Sequence, residues 1–169
     1  PERNHTITSQ EELNPSGVKA RIRANLNALE TLRTLEDENR NATSEEKAEL
    51  AKFSGWGAVP QLFDRIRIRQ VDEGRIEELR ENARRSEETA KRFTAMPKYQ
   101  ALYLQRAESD NKKADKLDNW KKQWGEDSRL LRDLLSEEEW DAAARSITNA
   151  HFTSLEVIKG MWDAVERMG

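Results

Sequence analysis

The sequence contains no cysteine, two histidines and four prolines in 169 residues, and each scarcity excludes something. Without cysteine there is no disulfide framework, thiolate metal site or thiol nucleophile. His5 and His151 are the whole imidazole supply, too little for a zinc site without thiolates, so no metal is expected. No apolar run approaches the ~20 residues of a membrane span, and no charged-then-apolar leader opens the chain. A cytoplasmic protein without membrane contact is therefore expected. Seven glycines and four prolines leave long stretches without a breaker. No β-branched segment alternates at strand length. An all-α fold follows.

Charge fills the space. Asp, Glu, Lys and Arg make up 36 % of the chain, as much as all hydrophobic residues together. That balance suits long helices with wide solvated faces over a modest core. The formal net charge of −3 is unevenly spread. Residues 65–122 carry 16 Lys/Arg against 11 Asp/Glu, and the remainder 13 against 21. Mixed signs ordinarily mark a solvated helix face; the sharper possibility is a basic arm along phosphates.

Four regions are expected: a lead-in over 1–14, a helical subdomain over 15–64, an inserted helical hairpin over 65–125 and a second helical subdomain over 126–169. Pro15 and Ser16 precede a helix from Gly17 to Arg40 whose stripe is Val18, Ile22, Leu26, Leu29, Leu32 and Leu35. Arg21, Arg23 and Arg33 on it are read as solvated. Thr43 and Glu46 have capping-box spacing and open a short helix running to Phe53, with Leu50 and Phe53 inward. Gly55 can stop that helix in the left-handed conformation. Pro60 sits near the first turn of the next helix, and Leu62, Phe63 and Ile66 continue the apolar face. Trp56, between Gly55 and Gly57, is either a core plug or a platform for a cofactor or base.

Over 65–125 the apolar positions read as a protruding antiparallel hairpin. Ile76, Leu79, Ala83, Ser86, Ala90 and Phe93 recur at steps of three and four. Pro97 opens the return helix, whose stripe is Tyr103, Ala107, Ala114, Leu117 and Trp124, with Tyr99, Leu102 and Trp120 alongside. Gly125 ends it. Arg84, Arg85, Lys91, Lys121 and Lys122 are the candidate DNA contacts. Trp120 and Trp124 either pack at the hairpin base or stack on an exposed base. Asp127 then caps a helix bearing Leu130, Leu131, Leu134 and Leu135. Ser136 and Glu139 form another capping box before a helix to Ile147, with Trp140, Ala143, Ala144 and Ile147 inward.

The last stretch, Asn149-Ala150-His151-Phe152-Thr153, is a polar turn running into an amphipathic helix. Val157, Ile158, Met161, Trp162, Val165 and Met168 share one face. Thr153 and Glu156 have capping-box spacing, so the turn would deliver its side chains to an electropositive helix end.

This turn and helix resemble motif X of N6-adenine DNA methyltransferases of the gamma arrangement. With Phe53-Ser54-Gly55-Trp56-Gly57 and the run from Ser136 through Trp140 to Ser146, the chain is similar to the N-terminal part of the very large methyltransferase–helicase proteins of phages and conjugative plasmids. The resemblance covers roughly 14–64 and 130–169. It implies a pocket wall for S-adenosylmethionine, with Thr153 offering a hydroxyl, Phe152 a ring face, Asn149 a hydrogen bond to the amino-acid end and His151 a brace. Ser154 stands where the family often has proline, and 65–124 departs from the family's shorter link. The family's glycine-rich cofactor loop and Asp/Asn-Pro-Pro-aromatic loop are missing; the chain has no Pro-Pro pair. The resemblance thus implies part of a DNA adenine methyltransferase, inactive alone, binding S-adenosylmethionine weakly or not at all without a downstream methyltransferase domain. The alternative is a stand-alone helical adaptor or DNA-binding module.

Overall fold

The computed structural model describes residues 17–147, which are helical with no strand among them. The chain divides into two compact units: 1–60 with 130–169, and 61–129. The turn over 149–153 and the helix expected after it lie outside the described residues.

In the first unit, α1 (Val18–Glu38) is the longest element among the described residues. Asn39 ends it in the left-handed conformation at φ 47°, returning its N–H to the last turn, as short polar residues tolerate. Ile22, Leu26 and Leu35 of the expected stripe are buried, but Val18 and Leu32 are exposed. Ala24, Asn25 and Ala28 are buried instead. The helix is thus covered over a wider arc than one stripe near its middle and left open toward its start, which period alone cannot distinguish.

The capping box at Thr43 opens α2 (Ser44–Ala51): the Thr43 hydroxyl accepts from Glu46 N–H, and Glu46 accepts from Thr43 N–H at 2.8 Å. The helix stops two residues short of Phe53, whose ring is exposed rather than inward. Leu50 is only half-buried. A second capping box, Ser136 with Glu139, opens α7 (Glu137–Ser146), where Trp140 is buried while Ala143, Ala144 and Ile147 are half-buried.

The second unit begins with the 3-10 turn Pro60–Phe63, entered through Pro60. Asp64 accepts from Arg67 N–H and caps α3 (Arg65–Asp72). Leu62 is fully buried, whereas Ile66 is 64 % exposed. The 3-10 turn and fresh cap reset the helical phase there, so the face expected to continue through Ile66 instead continues through buried Ile68. Gly74, at φ 73°, turns the chain into α4 (Arg75–Arg92). Helix α5 (Pro97–Trp120) returns against it.

The pair is antiparallel. Phe93 stacks on Tyr103 at 5.5 Å between ring centroids, and farther along Arg80 reaches Asp115 at 3.1 Å. The seam is built from Ile76, Leu79, Ala83 and Ala90 on α4 and Ala107, Ala114, Leu117 and Trp120 on α5, all buried. Small residues on both helices let the backbones approach. Tyr99 and Leu102 are exposed rather than alongside the seam.

Gly125 does not end the return helix. Lys121–Gly125 forms a π-helical turn that carries the chain into α6 (Glu126–Leu134). One extra residue in the turn shifts the helical phase. Trp120, ahead of the turn, is buried and Trp124, within it, is half-buried, reversing their expected ranks. Asp127 lies in the first turn of this helix rather than ahead of it. The Trp120 indole N–H donates to Gln61 O at 3.3 Å and the Ser128 hydroxyl to Leu62 O at 3.0 Å, fastening the 3-10 turn to the hairpin base.

Candidate functional site

Asn149, His151, Phe152 and Thr153, the expected cofactor wall, lie outside the described residues. The described residues include the other two strings of the resemblance and the cations of the second unit.

The Phe53–Gly57 string is a tight turn held by one side chain. Asn25 has no exposed surface. Its amide donates to Gly55 O at 2.7 Å, and its carbonyl oxygen accepts from Ser54 N–H at 2.9 Å and from the Ser54 hydroxyl at 3.4 Å. A buried amide that matches a donor and an acceptor on a turn specifies its shape, because either backbone group left unpaired would be costly. Gly55 takes φ 79° there. Trp56 is 4 % exposed and meets Phe53 edge to face at 5.7 Å. It is the core plug, with no open ring face for a base. Asn25 was passed over in the sequence because a polar residue between apolar ones looks like a break in a stripe. The usable signal was its place beside Ile22 and Leu26 on the buried face.

The Ser136–Ser146 string is held in a similar way. Arg33 is not solvated as its helix position suggests. Its Nε donates to Leu134 O at 3.0 Å, and its two terminal nitrogens reach Glu36 at 2.8 Å and Glu139 at 2.5 Å. One guanidinium thus ties α1 to the end of α6 and to the cap of α7. Hydrogen bonding to Arg33, with the Ser136 backbone N–H, pulls the Glu139 carboxyl down to about 2. The other capping glutamate matches it. Arg40 grips Glu46 with two nitrogens at 2.6 and 2.7 Å, and Glu46 is likewise lowered to about 2. Arg21 is half-buried, and its Nε finds no hydrogen-bond partner among the described residues.

The five candidate DNA contacts do not form one set. Arg84 and Arg85 both engage Glu81, at 2.7 and 2.8 Å. Lys122 is paired with Asp118 at 2.8 Å. Lys91 and Lys121 are exposed. Three of the five cations thus have a carboxylate beside them, as on an ordinary solvated helix face.

No protein-family model, curated protein or solved structure matches the chain. Among the described residues no group of three or more His, Cys, Asp or Glu side chains could hold a metal ion. No helix among them is long and apolar enough to cross a membrane.

Proposed function

We propose that the chain is the helical N-terminal part of a cytoplasmic S-adenosylmethionine-dependent DNA adenine methyltransferase. Residues 149–153 would line the methionine end of the cofactor pocket, and a downstream methyltransferase domain would supply the methyl-transfer chemistry. The observation that carries this reading is the way the resemblance and the fold partition together. Of the strings similar to the family, 53–57 and 136–146 fall in one compact unit, and the stretch that departs from the family, 65–124, falls in the other. Within the first unit, α1 holds both strings, through Asn25 on one and Arg33 on the other.

The test uses the complete open reading frame. Transfer of labelled methyl groups to adenine in duplex DNA is expected, with the Michaelis constant for S-adenosylmethionine raised by Phe152→Ala and Thr153→Val. Unchanged cofactor kinetics in both variants would overturn the assignment of the turn. The absence of any Asp/Asn-Pro-Pro-aromatic loop from the frame would overturn the activity.

The second reading, a helical adaptor or DNA-binding module without enzymatic activity, is favoured by one observation. Unit 61–129 has its own buried seam and a cluster of cations around a concavity. Tight, salt-sensitive DNA binding by a frame that lacks the Pro-Pro loop would establish it.

A further inference from the structure

Helices α3, α4 and α5 meet around a groove within the second unit. Arg67 and Gln70 come from α3, Arg75 and Leu79 from α4, and Lys113, Lys116 and Leu117 from α5. The space is about 260 Å³. At ~30 Å³ per water it would hold on the order of eight waters, which leaves room for a phosphate with its neighbouring sugar or for a chain of phosphates. Leu79 and Leu117 are buried. The left-handed turn at Gly74 sets the start of α4, and with it Arg75, beside the end of α3. Charges from residues far apart in sequence are thereby brought to one concavity.

No carboxylate lines it. The acids nearest its cations stand outside: Asp64 beside Arg67 at 3.3 Å, Glu78 beside Arg75 at 2.5 Å and Asp110 beside Lys113 at 3.2 Å. All three pairs join residues three apart on or beside one helix, and each has at least one solvent-exposed partner, a kind of pair worth little. Lys116 forms no ion pair among the described residues. Four cationic side chains lining one space, with no carboxylate among the lining residues, suit a ligand with several acceptor oxygens.

We infer that this groove binds a phosphate group, with Arg75, Lys113 and Lys116 as the principal cations and Arg67 and Gln70 completing the contacts. It is a different set from Arg84, Arg85, Lys91, Lys121 and Lys122. It also stands apart from the methyltransferase reading, since it needs neither cofactor nor downstream domain. The shared chemistry is the phosphate; its source is either a nucleic-acid backbone or a free polyphosphate.

Calorimetry of the full chain with inorganic triphosphate, and separately with a short mixed-sequence DNA duplex, distinguishes them. The variant is Arg75→Gln/Lys113→Gln/Lys116→Gln, checked for unchanged helicity by circular dichroism. The comparison variant is Arg92→Gln/Lys98→Gln, two exposed cations outside the groove. Weakening of roughly tenfold or more in the triple variant is expected, with the comparison variant close to wild type. Loss confined to the duplex, with its salt slope falling by about one or more, supports the site with a nucleic-acid source. Loss confined to triphosphate supports it with a free polyphosphate. No binding of either ligand by the wild type overturns the inference, as does unchanged binding in the triple variant or an equal loss in both variants. No methyl donor is present, so failure here leaves the methyltransferase reading standing.

Discussion

The two units solve the same problem, fixing helices in place, by different means. The hairpin of α4 and α5 is held along a seam of Ala, Ile and Leu, and its long-range polar contacts are exposed pairs such as Arg80 with Asp115. The first unit is pinned by polar side chains reaching distant backbone: Asn25 to the turn at Ser54 and Gly55, Arg33 to the end of α6 and the α7 cap. A seam distributes its energy over many small contacts and tolerates the loss of one. A buried polar pin concentrates it, and its loss strands the backbone groups it satisfied.

The sharpest way to break that contrast is Asn25→Leu. The substitution keeps the apolar face of α1 but leaves Ser54 N–H and Gly55 C=O without the side chain that pairs them. At ~1–3 kcal/mol for each stranded group, a loss of about 3 kcal/mol is expected by urea denaturation. Hydrogen exchange should accelerate over α1 and α2 and leave the α4–α5 amides protected. Uniform acceleration throughout the chain would show that the pin is not local to its unit.

The reciprocal test is Ala114→Leu. Ala114 is fully buried on the seam, and extra methylenes there force the helices apart, costing ~1–3 kcal/mol. Exchange should now accelerate in α4 and α5 while α1 is spared. Gly55→Ala is milder and isolates the backbone share of the turn. No atom lies within 4 Å of the added Cβ, and φ is +79°, so only the left-handed conformation opposes the methyl group. A loss of about 1 kcal/mol by the same denaturation is expected. A much larger loss would mean that the turn tightens on its neighbours.

The contrast also sets what could be read from the sequence. Part of the hairpin seam was legible, because a seam is a local period: Ile76, Leu79, Ala83 and Ala90 are buried where spacing places them, while Tyr99 and Leu102 are exposed. Both capping boxes within the described residues were legible for the same reason, since cap and partner are three apart. The pins were not. Asn25 and the turn it holds are 29 and 30 residues apart, and Arg33 and Glu139 are separated by 106. Nothing in either local sequence signals the other. The π-helical turn at Lys121–Gly125 was hidden in a further way. Glycine there suggested a stop, yet with Trp120 and Ser128 fastened to Gln61 and Leu62 the helix runs through it. Of the candidate site, Trp56 is buried at 4 % exposure. The grouping of Arg67, Arg75, Lys113 and Lys116 required knowing which turns bring three helices together.

The smallest effect, and the most selective, is in acid. The folded-state carboxyl of Glu139 is lowered to about 2, first by Arg33 and then by the Ser136 backbone. Its stabilising contribution is therefore complete above the ordinary glutamate value of ~4.3 and is lost as pH falls through that value toward about 2. Glu139→Gln retains an oxygen for the Ser136 N–H but has no charge to offer Arg33 and no proton to take up. The variant should be slightly less stable than wild type at neutral pH, and the gap should close as pH falls through that window. Its exchange rates in α1 and α7 should lose part of their pH dependence, while those of the hairpin, whose lowered carboxyls at Glu81 and Asp118 answer to their own arginine and lysine partners, should keep theirs. If the hairpin lost its acid response along with α1 and α7, the polar pin would have to act beyond its own unit.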